Sequence, residues 1–300
     1  MRALVTGGRG FVGRWLTAHL EKEGDDVVAT GEEVDVTDPE AVRRSVDDIR
    51  PEAIYHLAGW ASVGSSWDDP AGAFLVNANG TVHVLDAARR LPEPPRVLVV
   101  SSAEVYGRVR PDQLPLTEDT PLAPVSPYAA SKVAAEIAAR QAHLGYGVPV
   151  CVVRPFNHIG PGQSPGFVVS DLAKRIVEAE RSGAAFVEMG NPTPRRDLTD
   201  VRDVVRAYRL LVLRGEPGAT YNVCSGADIE IGDLARRLLD RAEAALELRT
   251  GSVALRPVDV PVLRGDAARL RAATGWAPEI PLDETLAAVL AAWREQPPTA

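Results

Sequence analysis

Short apolar runs of strand length alternate with amphipathic stretches of helical period along the first half of the chain. Strands are predicted at residues 3–5, 27–29, 53–59, 96–100 and 150–153, with a further short strand ending at residues 35–38. After the first run, Val12, Leu16 and Leu20 recur at helical spacing, and Gly24 is placed to end that helix. This alternation predicts an α/β fold with a Rossmann-type, doubly wound parallel sheet.

Two longer helices are predicted over residues 71–90 and from Pro127 to about residue 143. Asn77 and Gly80 interrupt the first with poor helix formers, which indicates a kink or a bound water. After residue 156 the strict alternation stops, and proline, glycine and arginine separate shorter elements. We therefore predict a dinucleotide-binding domain over residues 1–156 and a smaller substrate-binding α/β lobe over residues 157–300, with possible returns to the sheet near residues 220–223.

Composition restricts the function classes. The 300 residues include 41 acidic and 33 basic side chains, and the net charge of −8 argues against a nucleic-acid partner. Cys151 and Cys224 lie far apart in apolar runs, so we predict no disulfide and a reducing, cytoplasmic location. No apolar run reaches the ~18 residues of a membrane span. Met1 leads into a strand rather than a signal peptide, and no metal site is predicted.

A glycine-rich turn joins the first strand to the first helix. Gly7 would make the tight turn, Gly10 would let the backbone approach a pyrophosphate, and Gly13 would let helix and strand pack closely. Because a strand precedes the turn and a helix follows it, a dinucleotide site is favoured over a purely structural turn. The other residues predicted to line this site are Phe11, Val12, Val36, Leu57, Ala58, Gly59 and Pro155.

The choice between NAD and NADP depends on the end of the second strand. An NAD site usually has an acid there, which bonds the adenosine ribose, whereas this chain has Thr30. Arg9, in the glycine turn, could meet a 2′-phosphate, although it could equally be a solvated loop residue. These features lean toward NADPH and leave NAD open. Asp35 is a candidate acceptor for the adenine amino group.

Tyr128 and Lys132 are the candidate proton-transfer pair, since they are four residues apart on one helical face. A neighbouring ammonium favours tyrosinate, so the spacing predicts a lowered tyrosine pKa and proton exchange with a substrate oxygen. The alternative is an ordinary surface pair. The chain has three lysines against thirty arginines, which makes a lysine at this position unusual. Ser102 follows the strand at 96–100 and could bond the same oxygen, and Glu104 is a further ionisable candidate.

Four motifs together carry a family resemblance. TGGRGFVG, HLAG, SSAEVYG and SPYAASK, in that order, resemble the extended short-chain dehydrogenase/reductases over nearly the whole chain. Within that family, RPFNHIGPGQ, GFVVSDLAKRI, RRDLTDVRD and RPVDVPVLRGD are similar to the nucleotide-sugar branch that acts on GDP-mannose and GDP-4-keto-6-deoxymannose, and to its reductases more than to its dehydratases.

The resemblance implies roles for individual residues. Ser102, Tyr128 and Lys132 match the catalytic set, with Lys132 also bonding the nicotinamide ribose. A second set matches substrate contacts: Ser62, Ser102, Asn157, Val168, Arg196, Arg256 and Asp259. From spacing alone, these arginines would be taken as surface residues. Pairing of two helices per subunit, near residues 71–90 and 128–143, is also implied, so a homodimer is expected.

The expected reaction is NAD(P)H-dependent reduction of the C4 ketone of a nucleotide 4-keto-6-deoxy sugar, best matched by GDP-4-keto-6-deoxy-D-mannose going to GDP-D-rhamnose. Some dehydratases of the family have an acid where this chain has Ala103, which disfavours dehydration of the dTDP-glucose type. A 4-epimerase or a 4,6-dehydratase with tightly bound NAD remains the first alternative. A non-catalytic dinucleotide sensor is the second alternative, disfavoured because Tyr128 and Lys132 are both present.

Overall fold

The computed structural model describes residues 1–251 and 260–297. The strands are β1 (Arg2–Thr6), β2 (Asp26–Ala29), β3 (Ala53–His56), β4 (Arg96–Val100), β5 (Val150–Pro155), β6 (Asn157–Ile159), β7 (Phe186–Met189), β8 (Arg195–Asp200), β9 (Thr220–Val223), β10 (Asp228–Glu230), β11 (Glu247–Thr250) and β12 (Val262–Leu263). The helices are α1 (Phe11–Lys22), α2 (Pro39–Ile49), α3 (Pro70–Phe74), α4 (Gly80–Arg90), α5 (Pro127–Tyr146), α6 (Val168–Ser182), α7 (Val201–Arg214), α8 (Ile231–Leu239), α9 (Ala268–Thr274) and α10 (Leu282–Glu295).

Six of these strands form one parallel sheet in the order β2-β1-β3-β4-β5-β9. Its apolar strands are covered on both faces, as a parallel sheet requires. Helices α1, α7 and α9 bury one face, and helices α2, α4 and α5 bury the other. The strand order reverses beside β1, so a ligand crevice is expected at the carboxyl ends there. The predicted doubly wound α/β fold is confirmed.

A second, smaller body surrounds the four strands β6, β8, β10 and β12, where β8 pairs with each of the other three. Helices α6, α8 and α10 pack on it through a separate apolar core. The chain crosses the predicted division at residue 156 more than once. Helix α7 packs in the first core, and β9 adds to the large sheet beside β5, which is the return expected near residues 220–223.

One predicted local structure is wrong. No strand ends at residues 35–38, because the Asp35 carboxylate accepts hydrogen bonds from the Thr37 backbone N–H and hydroxyl, and Asp38 caps α2. Such side-chain acceptors replace a strand ladder. Beyond the strand predicted at residues 150–153, Arg154 and Pro155 also belong to β5, which lies between β4 and β9.

The interruption predicted in the long helix is present as a π-helical segment, Leu75–Asn79, between α3 and α4. This segment contains Asn77 and ends just before Gly80, the two residues expected to interrupt the helix. Among the described residues, no helix has both the length and the apolar surface required to cross a bilayer. Within the same ranges, no group of three or more His, Cys, Asp or Glu side chains is placed to hold a metal ion.

Candidate active site at the carboxyl ends of β1, β3 and β4

The glycine turn lies where β1 ends. Gly7 has a φ of +68°, and a Cβ there would lie 2.7 Å from the backbone nitrogen of Ala58. Gly10 is the N-cap of α1, and it has no side chain with which to cap the first N–H groups of that helix. A Cβ on Gly13 would meet the Gly7 carbonyl and lie 2.6 Å from the Gly8 Cα. The turn therefore leaves a backbone-lined cradle at a helix N-terminus, which fits a pyrophosphate.

Polar bonds tie this turn to its neighbours. The Thr6 hydroxyl accepts from the Ala58 backbone N–H at 3.2 Å and pairs with the His56 ring at 2.8 Å. Thr30 contributes its backbone, since its carbonyl accepts from the Gly8 N–H at 2.7 Å. The ends of β1, β2 and β3 are thus held together around the cradle.

The end of β2 places two opposite charges side by side. The Arg9 guanidinium lies 3.3 Å from a Glu33 carboxylate oxygen, and both side chains are exposed. A Cβ on Gly31 would lie 2.7 Å from the Arg9 side chain, so Arg9 extends across the end of this strand. Glu33 also accepts from the Gly31 N–H at 2.9 Å. A cation suited to a 2′-phosphate and an acid suited to ribose hydroxyls therefore share this position.

Helix α5 positions the tyrosine and the lysine. Its N-cap, Ser126, accepts from the Ala129 N–H, and Pro127 occupies the first turn, where a missing N–H costs little. Tyr128 and Lys132 point inward from this helix and are both nearly buried. The Lys132 ammonium donates to the Val100 carbonyl at the end of β4, at 2.9 Å. It also lies beside Gly59, where a Cβ would be 3.3 Å from the lysine nitrogen.

Ser102 lies two residues after β4, where its side chain interacts with that of Tyr128 and acts to lower the pKa of the phenol. The structure thus brings together Ser102, Tyr128 and Lys132, which are separated in sequence. Glu104 lies in the next turn, where its backbone N–H donates to the Ser102 hydroxyl, and its charge acts on Tyr128. Ala103, between them, is buried and offers no functional group.

The predicted lowering of the Tyr128 pKa is wrong. Burial raises the pKa of this phenol to about 12, and the hydrogen bond from Ser102 only partly opposes it. The Lys132 nitrogen lies 6.0 Å from the centre of the tyrosine ring and donates to Val100 rather than to the phenol oxygen. Burial also lowers the pKa of Lys132 to about 8. The phenol is therefore held in its protonated form, which is the form that gives up a proton.

The other predicted cofactor residues are dispersed around this crevice. Leu57, Ala58 and Gly59 follow β3 directly, and the Leu57 N–H donates to the Thr6 carbonyl. The Phe11 ring stacks on His158, with centroids 6.3 Å apart, and so joins the start of α1 to β6. Val12 opens α1, Val36 is buried before α2, and Pro155 ends β5. Asp35 is exposed and bonded to Thr37.

The predicted substrate residues lie on the second body and on the loop after β3. Asn157 is exposed on β6, which pairs with β8, the strand that carries Arg196. Arg196 is nearly buried, and its guanidinium donates to the Val260 carbonyl at 2.7 Å. Val168 is half-exposed at the start of α6, and the Ser62 hydroxyl accepts from the Ser65 N–H. Arg256 and Asp259 lie outside the described residues.

Several buried polar residues around this site were not predicted. The Asn77 amide, in the π-helical segment, donates to the Ser131 hydroxyl at 2.9 Å and accepts from the Trp60 N–H at 2.9 Å. His56 is buried, and burial lowers its pKa to about 3, so the ring is neutral. Glu136 forms a buried ion pair with Arg154. Of these, Asn77 was expected to interrupt its helix but not to line this site, and Glu136 follows Lys132 by four residues on the same helical face.

Comparison with known proteins agrees with this geometry. Residues 3–224 match the NAD dependent epimerase/dehydratase family. The chain is 37% identical to a GDP-6-deoxy-D-mannose reductase of Pseudomonas aeruginosa over 298 residues, 98% of each chain. It is 31% identical to a UDP-glucose 4-epimerase of Mycolicibacterium smegmatis, over 99% of each.

Among solved structures, the chain is similar to RMD from Pseudomonas aeruginosa complexed with NADPH, with a TM-score of 0.89, 37% identity and 98% of each chain covered. The match spans both bodies of the fold, so the similarity is not limited to the dinucleotide-binding half. The resemblance to the extended short-chain dehydrogenase/reductases is confirmed. The chain belongs to the NAD dependent epimerase/dehydratase family.

Proposed function

We propose that this protein reduces the C4 ketone of GDP-4-keto-6-deoxy-D-mannose to give GDP-D-rhamnose, using NAD(P)H. The observation that carries the proposal is the meeting of Ser102, Tyr128 and Lys132 beside the glycine cradle. The similarity to a GDP-6-deoxy-D-mannose reductase over 98% of both chains supports the substrate. The buried Ala103 offers no acid for a dehydration step of the dTDP-glucose type.

The roles of the chain's own residues follow from their chemistry. When bound, the reduced nicotinamide supplies the hydride that the C4 carbon receives. Tyr128, protonated because burial raises its pKa, gives its proton to the C4 oxygen. Ser102 donates a hydrogen bond to the same oxygen, so negative charge does not accumulate there. The Lys132 ammonium, anchored on Val100, stabilises the tyrosinate that remains.

The substrate diphosphate would be held by the second body. Asn157 and Arg196 lie on adjacent strands, β6 and β8, just beyond the carboxyl end of β5. An arginine presents a rigid fork of donors that suits phosphate oxygens. Ser62 and Val168 complete the proposed pocket, with Arg256 and Asp259 expected to contribute from outside the described residues.

We propose NADPH as the preferred form of the cofactor. Arg9 is exposed at the end of β2, where the adenosine ribose is expected, and Thr30 supplies no carboxylate there. The neighbouring Glu33 is the counter-argument, because its carboxylate would repel a 2′-phosphate unless Arg9 neutralises it. The relative effects of the Arg9 and Glu33 charges on a 2′-phosphate set the preference between NADPH and NADH.

A homodimer is also proposed, through the outer faces of α3, α4 and α5. Large apolar side chains are exposed along these helices: Phe74, Leu75, Val82, Ile137, Leu144 and Tyr146. Contiguous exposed apolar surface on a monomer ordinarily marks an interaction site. The free, buried thiols of Cys151 and Cys224 support the reducing, cytoplasmic location predicted from the sequence.

One assay tests the proposed reaction. Purified protein is incubated with GDP-4-keto-6-deoxymannose and either NADPH or NADH, and the nicotinamide absorbance and the product sugar are both followed. The proposal expects one nicotinamide oxidised per sugar and a product with the 6-deoxymannose configuration. A 6-deoxytalose product would mean that the hydride is delivered to the opposite face of C4. In a parallel incubation with GDP-mannose, a changed sugar without net change in nicotinamide absorbance would instead indicate an epimerase or a dehydratase.

A further inference from the structure

A third ionisable side chain lies behind the catalytic pair on α5. Glu136 is four residues beyond Lys132 and eight beyond Tyr128, and its side chain is only 9% exposed. Its carboxylate accepts from the Ser101 hydroxyl at 2.5 Å and from the Arg154 guanidinium at 2.9 and 2.7 Å. A buried carboxylate is costly unless it is paired and hydrogen-bonded, so this arrangement needs a reason.

The arginine that pairs with it is itself fixed. Arg154 also donates to the Tyr106 hydroxyl at 3.1 Å and to the Glu118 carbonyl at 3.2 Å. The Tyr106 hydroxyl donates in turn to the Asn222 amide oxygen at 2.6 Å. Although burial opposes its charge, the hydrogen bonds to Glu136 keep the pKa of Arg154 above its usual value. The Glu136 carboxylate therefore has one position, set by side chains from β5 and from the segment after β4.

This clamp adjoins the anchor of the lysine. Val100 accepts from the Lys132 ammonium, Ser101 donates to Glu136, and Ser102 interacts with Tyr128. The last residue of β4 and the two residues after it thus contact three ionisable side chains of α5. The Glu136 carboxylate is thus held next to the residue that anchors the lysine.

We propose that Glu136 is a positioning residue that keeps the Lys132 ammonium charged and oriented beside Tyr128, with Arg154 holding the Glu136 carboxylate in place. The inference deepens the proposed reaction and rests on it for its kinetic consequence. Its effect on the charge of Lys132 is independent of any substrate.

The other groups around the pair define the electrostatic balance. His56 faces Lys132 from β3 and is neutral, and the π-helical segment contributes the uncharged Asn77 amide beside Gly59. The charge of Glu104, in the turn after β4, acts on Tyr128. Tyr208, on α7, lies near Tyr128. Arg154 lies on β5 and acts on the pair by way of its ion pair with Glu136. Burial disfavours the lysine charge, and Glu136 is the group that acts in its favour.

The three lysines of the chain make a direct test possible. Protein labelled with ¹³C at lysine Cε gives signals from Lys22, Lys132 and Lys174 alone, and a Lys132→Arg variant assigns the signal of interest. We expect Glu136→Gln to lower the Lys132 titration midpoint by about one pH unit, since a nearby opposite charge typically shifts a pKa by 1–3 units. The signals of Lys22 and Lys174 serve as internal controls.

A matched variant separates charge from structure. Ser101→Ala removes one hydrogen bond to the same carboxylate but leaves its charge, so the Lys132 midpoint should stay at the parent value. An unchanged midpoint in folded Glu136→Gln overturns the proposal. If that variant does not fold, the double variant Glu136→Gln/Arg154→Gln removes both buried charges. The Lys132 midpoint should still be lowered in the double variant. A parental midpoint in the double variant also overturns the proposal.

Kinetics provide the second readout. For the reduction, the fall of kcat/KM at high pH should move to lower pH in Glu136→Gln by the same amount as the lysine midpoint, with the KM for the nucleotide sugar unchanged. A uniform loss of rate without this movement contradicts the assigned role. A shifted lysine midpoint in a protein that does not reduce the 4-keto sugar would refute the proposed function and leave the inference about Glu136 standing.

Discussion

Replacing Tyr128 by phenylalanine removes one hydroxyl from a nearly buried site. In a water-excluded site, losing one preorganised donor to a developing oxyanion costs about 2.7–4 kcal/mol, which predicts a roughly 10²–10³-fold fall in turnover. The cost to folding should be smaller. Ser102 keeps its hydrogen bond from the Glu104 N–H, so the variant loses at most the interaction of the phenol with Ser102, about 1 kcal/mol.

The assay is single-turnover reduction of GDP-4-keto-6-deoxymannose, with cofactor affinity measured separately by fluorescence titration. Tyr208→Phe is the matched control, because its hydroxyl is also buried and has no hydrogen-bond partner among the described residues. That control should keep parental turnover and parental or slightly higher stability. Parental turnover in Tyr128→Phe would remove Tyr128 from the mechanism. An equal loss in both variants would mean that packing, not proton donation, is responsible.

Further predictions concern the cofactor cradle, the pH dependence of stability and the subunit interface. Gly13→Ala places a methyl group 2.6 Å from the Gly8 Cα, an overpacking cost of about 1–3 kcal/mol, so calorimetry should show markedly weaker cofactor binding. Arg9→Ala should raise the Kd for NADPH about tenfold and leave the Kd for NADH unchanged. Glu33→Ala should leave the Kd for NADPH unchanged. Equal changes in the Kd of both cofactors would contradict this assignment. Because the folded pKa of His56 is about 3, below its usual 6.5, the unfolded chain binds a proton first and stability falls as pH drops from 6.5 toward 3. His56→Gln should flatten that part of the Tm profile. Ile137→Glu, 65% exposed on α5, should give a monomer by light scattering without loss of fold.

The glycine turn and the helix that carries the tyrosine were predictable because both depend on local rules. The conformational freedom of Gly7 and the close approach at Gly13 are backbone properties, and the spacing of Tyr128 and Lys132 follows from the helical period. The strand predicted at residues 35–38 failed for a local reason as well. The Asp35 carboxylate there accepts from the backbone N–H and the hydroxyl of Thr37, which a hydropathy pattern does not register.

The protonation states of Tyr128 and Lys132 were not predictable from such local rules. Sequence spacing places an ammonium near a phenol, but it does not show that both are buried or that Lys132 donates to Val100. Desolvation depends on every element packed around the pair, and here it outweighs the attraction that the spacing suggested. The buried Arg154, which pairs with Glu136, likewise reaches the site from β5, and only the sheet order brings that strand beside β4.

By itself, the sequence determined the fold class, and it predicted a cofactor cradle and a catalytic set, since these follow from periodicity, glycine sterics and motifs. The tertiary structure alone decided which face of each helix is buried, how β9 returns beside β5, and which charges share the site. The physical reason is that hydrogen bonding and helical period act over a few residues, whereas desolvation and charge–charge interaction depend on neighbours from distant parts of the chain.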